Sequence, residues 1–225
     1  MSGQFKNVIY SCHSSSRPSQ PETDKTLVLD IDETLVRTWE DFDKLKSSKI
    51  LTSPEFYPIR KQIYMLDLGE GQDEDKLWGF KRPYLEDFLT FADDYFAHIC
   101  VWSAGTAEYV EAVCEQIFHN HRCPDIILTR DACVHDEENN LFKPLEKFYE
   151  LFPKASPQTT IMIDDRDDVM SKNPENGIVI PPYEPSIKKV ATISTDDALD
   201  KIMNWLSQEE VAYAEDIREV DKDIF

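Results

Sequence analysis

Short apolar runs that end abruptly at polar residues recur along this chain. Residues 27–36 read LVLDIDETLV, 98–103 HICVWS, 125–130 DIILTR, 159–165 TTIMIDD and 177–180 GIVI. Runs of this length bounded by polar residues predict buried strands. Between them the period changes. After Pro83, which suits a first helical turn, Leu85, Phe88, Leu89, Ala92 and Phe96 recur at helical spacing. Thr106 is placed to cap a helix through Val110, Val113, Cys114 and Ile117, with Gly105 before it to permit an unusual backbone angle. Residues 144–152, PLEKFYELF, and 197–206 give two further helices. Strands alternating with helices predict an α/β fold, a Rossmann-like parallel sheet covered by helices on both faces.

The regular alternation is interrupted once. From residue 40 to about 60 the pattern loses its period, and then KQIYMLDL (61–68) and KLWGFKRP (76–83) flank the turn-rich GEGQDED. This reads as a β-hairpin within an insertion of residues 40–80. Residues 1–24 are expected as a flexible arm, polar and carrying two prolines in SCHSSSRPSQPETDK, residues 25–206 as a single domain, and 207–225 as a solvated acidic tail.

Composition sharpens the setting. The chain has 225 residues, 41% hydrophobic and 30% charged, and 44 acidic against 24 basic residues give a net charge of −20. That charge argues against nucleic-acid or anionic-membrane binding, and any phosphate pocket must reverse the sign locally. No window approaches a membrane span. The start, MSGQFKNVIY, is too short and mixed for a signal segment, and the five cysteines hold no CxxC pair. Reduced thiols in an intracellular protein, nuclear or cytoplasmic, are expected. Cys114, His119, His121, Cys123, Cys133 and His135 lie close in sequence, but only HNHRC approaches zinc spacing, so helix and loop roles are expected for them.

The chemistry sits at the strand ends. Successive side chains of a strand point to opposite faces, so Asp30 and Asp32 share one face and Ile31 turns away. Two carboxylates so close repel unless a cation lies between them or one is protonated. A calcium loop of the EF-hand type needs Gly at its sixth position and Glu at its twelfth, where this chain has Leu35 and Asp41. A solvated turn leaves the whole motif unexplained. The remaining reading is a strand-end nucleophile toward phosphorus, Asp30, beside a second acid, Asp32, that moves protons. Ser103 and the pair Asp164 and Asp165 end two other strands, and ligands of parallel sheets bind at such carboxyl ends.

DxDxT followed by an apolar residue resembles the haloacid dehalogenase superfamily of phosphotransferases. More closely, DxDETLV resembles the small phosphatases of the RNA polymerase II C-terminal domain, the NLI-interacting-factor-like family. FKRPYLEDFL, HICVWSAGTAEYVEAV, LTRDACVHDEENNLFKPL and IMIDDRDDVMSKNPENGIVI follow in that family's order, over roughly residues 25–190. Without room for the extra recognition domain of the large enzymes, the small kind is the expected match.

The resemblance implies a haloacid dehalogenase fold with a hairpin insertion, Mg²⁺ as cofactor and a phosphoaspartate on Asp30. Asp32 is then the acid and base, and Lys143, in LFKPL, the cation that offsets the nucleophile and the phosphate, with Lys147 and Lys154 as rivals. Ser103, Arg130 and Thr34 are implied for the phosphate. Asp30, the Asp32 main-chain carbonyl and Asp165 are implied for the metal: the family strand ends Asp-Asn and its second position reaches the metal, which selects Asp165, where this chain has Asp instead of Asn, with Asp164 as the alternative ligand or the group that orients Lys143. The implied reaction removes phosphate from Ser or Thr on an extended phosphopeptide, with the polymerase tail as natural candidate. Aromatic residues among Phe56, Tyr57, Tyr64, Trp78 and Phe80 would wall a groove for a proline-containing segment. Another phosphoprotein, a small phosphoester, or a binding or scaffold role with little turnover remain the alternatives, and oligomeric state is not legible.

Overall fold

The computed structural model describes residues 8–9, 20–69, 76–189 and 191–225. Its main sheet has six strands in the spatial order Val8–Ile9, Ile126–Leu128, Phe96–Trp102, Thr23–Leu29, Thr160–Asp164 and Gly177–Val179. The first pairs antiparallel with Ile126–Leu128, and the others pair parallel. From the central strand Thr23–Leu29 the chain moves to one side and returns to the other. The switch point therefore lies between Thr23–Leu29 and Thr160–Asp164, where parallel sheets open a crevice at their carboxyl ends.

Strand alternation divides the core in two. Leu27, Leu29, Ile99, Val101, Ile161 and Ile163 pack on one face with helices Leu85–Tyr95, Ala107–Ile117 and Ala198–Leu206. The residues between them, Val28, Cys100, Trp102 and Met162, pack on the other with Leu145 and Phe148 of helix Leu145–Leu151. Apolar side chains on both faces explain why these strands read as unbroken hydrophobic runs.

The hairpin of Ile63–Asp67 and Lys76–Lys81 lies where the sequence placed it, with residues 70–75 of its turn outside the described residues. It gains a third strand, Val36–Trp39, directly after the DIDETL turn. This small sheet has its own core of Trp78, Phe80, Phe56, Ile59 and Tyr183. Trp78 and Phe80 are therefore packing residues, whereas Tyr57 is exposed.

Both ends differ from expectation. The central strand begins at Thr23, inside the stretch read as an arm, most of which lies outside the described residues. Residues 207–225 are not a solvated tail: Val211 and Ile217 are buried in the main core, and the Ile217 N–H donates to the Gln158 carbonyl at 2.9 Å. The Thr23 hydroxyl donates to the Ala212 carbonyl at 2.6 Å. Charge dominates the tail's composition, but a few spaced apolar residues suffice to pack it onto the main core while Glu209, Glu210, Glu215 and Glu219 stay exposed.

Candidate active site

Side-chain parity assembles the centre of the site. Asp30 and Asp164 continue the alternation of Val28 and Met162, which pair directly across the ladder, so both carboxylates emerge on the face covered by helix Leu145–Leu151. Lys143 immediately precedes that helix and meets them there. Its ammonium donates to Asp30 Oδ1 and, at 2.7 Å, to Asp164 Oδ2. Asp30 is 6% exposed, Lys143 3% and Asp164 fully buried. Of the rivals, Lys147 is half-buried on the helix and Lys154 lies over the Phe152 ring.

Asn173 fixes the lysine's backbone. Its side-chain oxygen accepts the Leu145 N–H at 2.9 Å and its amide donates to the Lys143 carbonyl at 2.8 Å. Arg82, from FKRP, holds the turn after Asp32. The buried guanidinium donates to the carbonyls of Glu33, Thr34 and Pro181 and forms a two-pronged ion pair with Asp196 at 2.7 and 2.9 Å. In that turn Glu33 has φ 56°, a left-handed geometry unusual for a residue with a side chain. Neither Asn173 nor Arg82 announced a role in the sequence, because their partners are distant along the chain.

The two aspartates after Ile163 behave differently. Asp164 uses both oxygens, one on Lys143 and one accepting the Arg166 N–H at 2.9 Å. Asp165 lines the open cleft together with Asp30 and Asp32. Thr34, expected at the phosphate, is fully buried behind Asp165, whose N–H donates to its hydroxyl at 3.1 Å. Thr34 is thus a support for the Asp165 turn: the strand end curls and carries its side chain inward.

The cleft has a volume of about 710 Å³. Ser103 and Arg130 line its other wall. The Ser103 hydroxyl accepts the Gly105 N–H at 3.0 Å, and Arg130 is tied to the same turn through its N–H on Gly105 and its guanidinium on Ala104. A Cβ at Gly105 would stand 2.7 Å from the Tyr109 ring, so this close turn requires glycine. Thr106 occupies the N-cap position without a side-chain hydrogen bond to the helix.

Electrostatics at the centre are unbalanced. Burial pushes the Asp30 carboxyl up to about 7, against the opposing Lys143 ammonium, and Asp164 adds to the rise. Burial also raises Asp32, although the Tyr109 hydroxyl donates to it, and raises Asp165, with Asp164 contributing. Burial alone would lower Lys143, but Asp30 and Asp164 outweigh it and hold the ammonium above its ordinary range. Oxygens of Asp30, Asp164 and Asp165 all lie within 4.8 Å of one another. A set of hard carboxylate oxygens with more negative charge than one ammonium can offset fits a small divalent cation.

Elsewhere, the His121 ring bonds Asp93 and Glu86, each at 3.1 Å. Among the described residues no helix is long and apolar enough to cross a membrane.

A parallel sheet with an aspartate pair at its switch point, backed by a buried lysine, defines an α/β fold of the haloacid dehalogenase class. The chain belongs to the NLI interacting factor-like phosphatase family, whose model matches residues 25–218. It is 28% identical over 156 residues to a probable C-terminal domain small phosphatase of Dictyostelium discoideum, covering 69% of this chain and 43% of that protein. It is 32% identical over 152 residues to ubiquitin-like domain-containing CTD phosphatase 1 of Rattus norvegicus, covering 62% of this chain and 45% of that one. The chain thus spans less than half the length of these curated relatives. The solved structure of Fcp1, an essential RNA polymerase II CTD phosphatase, matches with a TM-score of 0.56 at 20% identity, over 89% of this chain and 59% of that one. At that identity the likeness concerns the fold.

Proposed function

We propose that this chain is a Mg²⁺-dependent phosphatase of phosphoserine and phosphothreonine in an extended peptide, with the RNA polymerase II C-terminal tail as its foremost candidate substrate. The observation that carries the reading is the Asp30 carboxylate at the end of the central strand, facing an open cleft with the Lys143 ammonium on one oxygen. Membership of a phosphatase family and the names of the curated relatives support the same reaction and substrate.

The geometry supports two displacements at phosphorus. An Asp30 oxygen attacks in line, the phosphorus–oxygen bond to the serine or threonine breaks, and Asp32 gives its proton to the departing alkoxide. Asp32 then takes a proton from water, which attacks the aspartyl phosphate at phosphorus, releases inorganic phosphate and restores Asp30. Burial favours the protonated form of Asp32 that the first step needs. Lys143 offsets charge on Asp30 and the transferring group, while Ser103 and Arg130 offer donors on the opposite wall. Asp30, Asp165 and the Asp32 carbonyl would hold Mg²⁺, which supplies charge neutralisation on the phosphoryl oxygens. Asp164 serves chiefly Lys143.

The test is hydrolysis of an aryl phosphate and of phosphoserine heptad peptides with Mg²⁺, comparing wild type with Asp30→Asn. Activity on both, lost in the variant, is expected. An inactive wild type that also fails to bind beryllofluoride would sink the catalytic reading. Cleavage of the aryl phosphate alone would remove support for the peptide substrate.

A further inference from the structure

A chain of hydroxyl groups runs from Asp32 into the inserted sheet. The Tyr109 hydroxyl donates to Asp32 Oδ1. The Thr38 hydroxyl lies 2.5 Å from the Tyr109 oxygen and 2.5 Å from the Tyr64 oxygen. Each hydroxyl has one proton to give. With the Tyr109 proton committed to the carboxylate, its oxygen accepts from Thr38, whose oxygen in turn accepts from Tyr64. The bonds are directional and all run toward Asp32.

The elements involved are far apart in sequence. Thr38 belongs to strand Val36–Trp39, Tyr64 to strand Ile63–Asp67 and Tyr109 to helix Ala107–Ile117. Gly79 makes the meeting possible, since it pairs with Thr38 on one side and Tyr64 on the other. A Cβ there would stand 2.2 Å from the Arg37 carbonyl and 2.6 Å from the Tyr64 hydroxyl. Tyr64 is buried, so its hydroxyl needs a partner, and the partner available leads to the acid.

We infer that Tyr109, Thr38 and Tyr64 are positioning residues that hold the Asp32 carboxyl in its proton-transfer orientation, making the inserted sheet part of the catalytic apparatus. This rests on the proposed role of Asp32 as proton donor. An aspartate carboxyl turns about two side-chain bonds and by itself samples several orientations; a donor anchored by two secondary-structure elements restricts it. The insertion thereby does more than border a groove.

Leaving-group dependence tests the inference. An alkoxide departing from phosphoserine needs its proton in the transition state, whereas p-nitrophenolate leaves without one. Single-turnover leaving-group release is measured for a phosphoserine peptide and for p-nitrophenyl phosphate, in wild type, Asp32→Asn, Tyr109→Phe and Tyr64→Phe. Asp32→Asn is expected to lose about 10²-fold or more on the peptide and far less on the aryl ester. Tyr109→Phe is expected to show the same selectivity at roughly tenfold, because a misplaced acid fails in the same direction as an absent one. Equal losses on both substrates, or none, in Tyr109→Phe beside a selective Asp32→Asn would overturn the inference and leave the proposed reaction standing. An unselective Asp32→Asn would remove both. Should Tyr109→Phe fail to fold, Tyr64→Phe carries the comparison, since it keeps the residue that touches Asp32; an unselective Tyr64→Phe then overturns the inference.

Discussion

Lys143 and Asp164 are held 2.7 Å apart beneath Asp30, both buried. A buried ammonium and carboxylate stabilise one another only as a set, and removing one member leaves the others uncompensated. The lysine is therefore structural as well as chemical. Lys143→Met should lower turnover at least tenfold, by losing the cation at the nucleophile, and should cost about 3 kcal/mol of stability. Steady-state kinetics and thermal unfolding check the two effects together. Unchanged turnover would transfer the cationic role to Arg130.

The adjacent aspartates should separate by assay. Asp165 faces the cleft, so Asp165→Asn should raise the Mg²⁺ concentration for half-maximal activity about tenfold or more with a small change in unfolding temperature. Asp164 has both oxygens engaged, so Asp164→Asn should chiefly destabilise the fold. Metal titrations and melting curves of the two variants distinguish them, and a reversed pattern would make Asp164 the ligand.

Arg82 joins the turn after Asp32 to Asp196 and Pro181 by hydrogen bonds from one buried guanidinium. Arg82→Met strips carbonyls and a carboxylate of their donors at once, with an expected cost of roughly 3–5 kcal/mol. Turnover of the remaining folded protein should also fall, because the turn carrying Asp32 loses its support. Denaturant titration, with activity measured well below the midpoint, reads both.

Stability should depend on pH through Glu86, away from the cleft. Burial alone would raise this carboxyl, but the bond from Lys81 and then the His121 ring hold it below its ordinary 4.5. A lowered folded value means stability present above pH 4.5 and lost as pH falls through the folded value. Glu86→Gln should melt roughly 1–3 °C below wild type at pH 7, in keeping with a partly exposed ion pair. The difference should shrink toward zero near pH 3, and a constant offset across that range would exclude the linkage.

Local pattern in this sequence determined the alternating strands and helices, the hairpin, and the acidic strand end at Asp30. Strand periodicity also carried more than it first disclosed, since Asp164 sharing the parity of Met162 already sets it on the Lys143 face. Those features depend on neighbours within a few residues, so the chain displays them directly. Only the tertiary structure decided which lysine reaches Asp30, that Thr34 supports Asp165, that Asn173 and Arg82 brace the site, and that Tyr109, Thr38 and Tyr64 converge on Asp32. It also returned Val211 and Ile217 of the acidic tail to the core. Each is a contact between residues remote in sequence, fixed by sheet order and helix packing, and no local propensity or charge count records which distant partner will arrive.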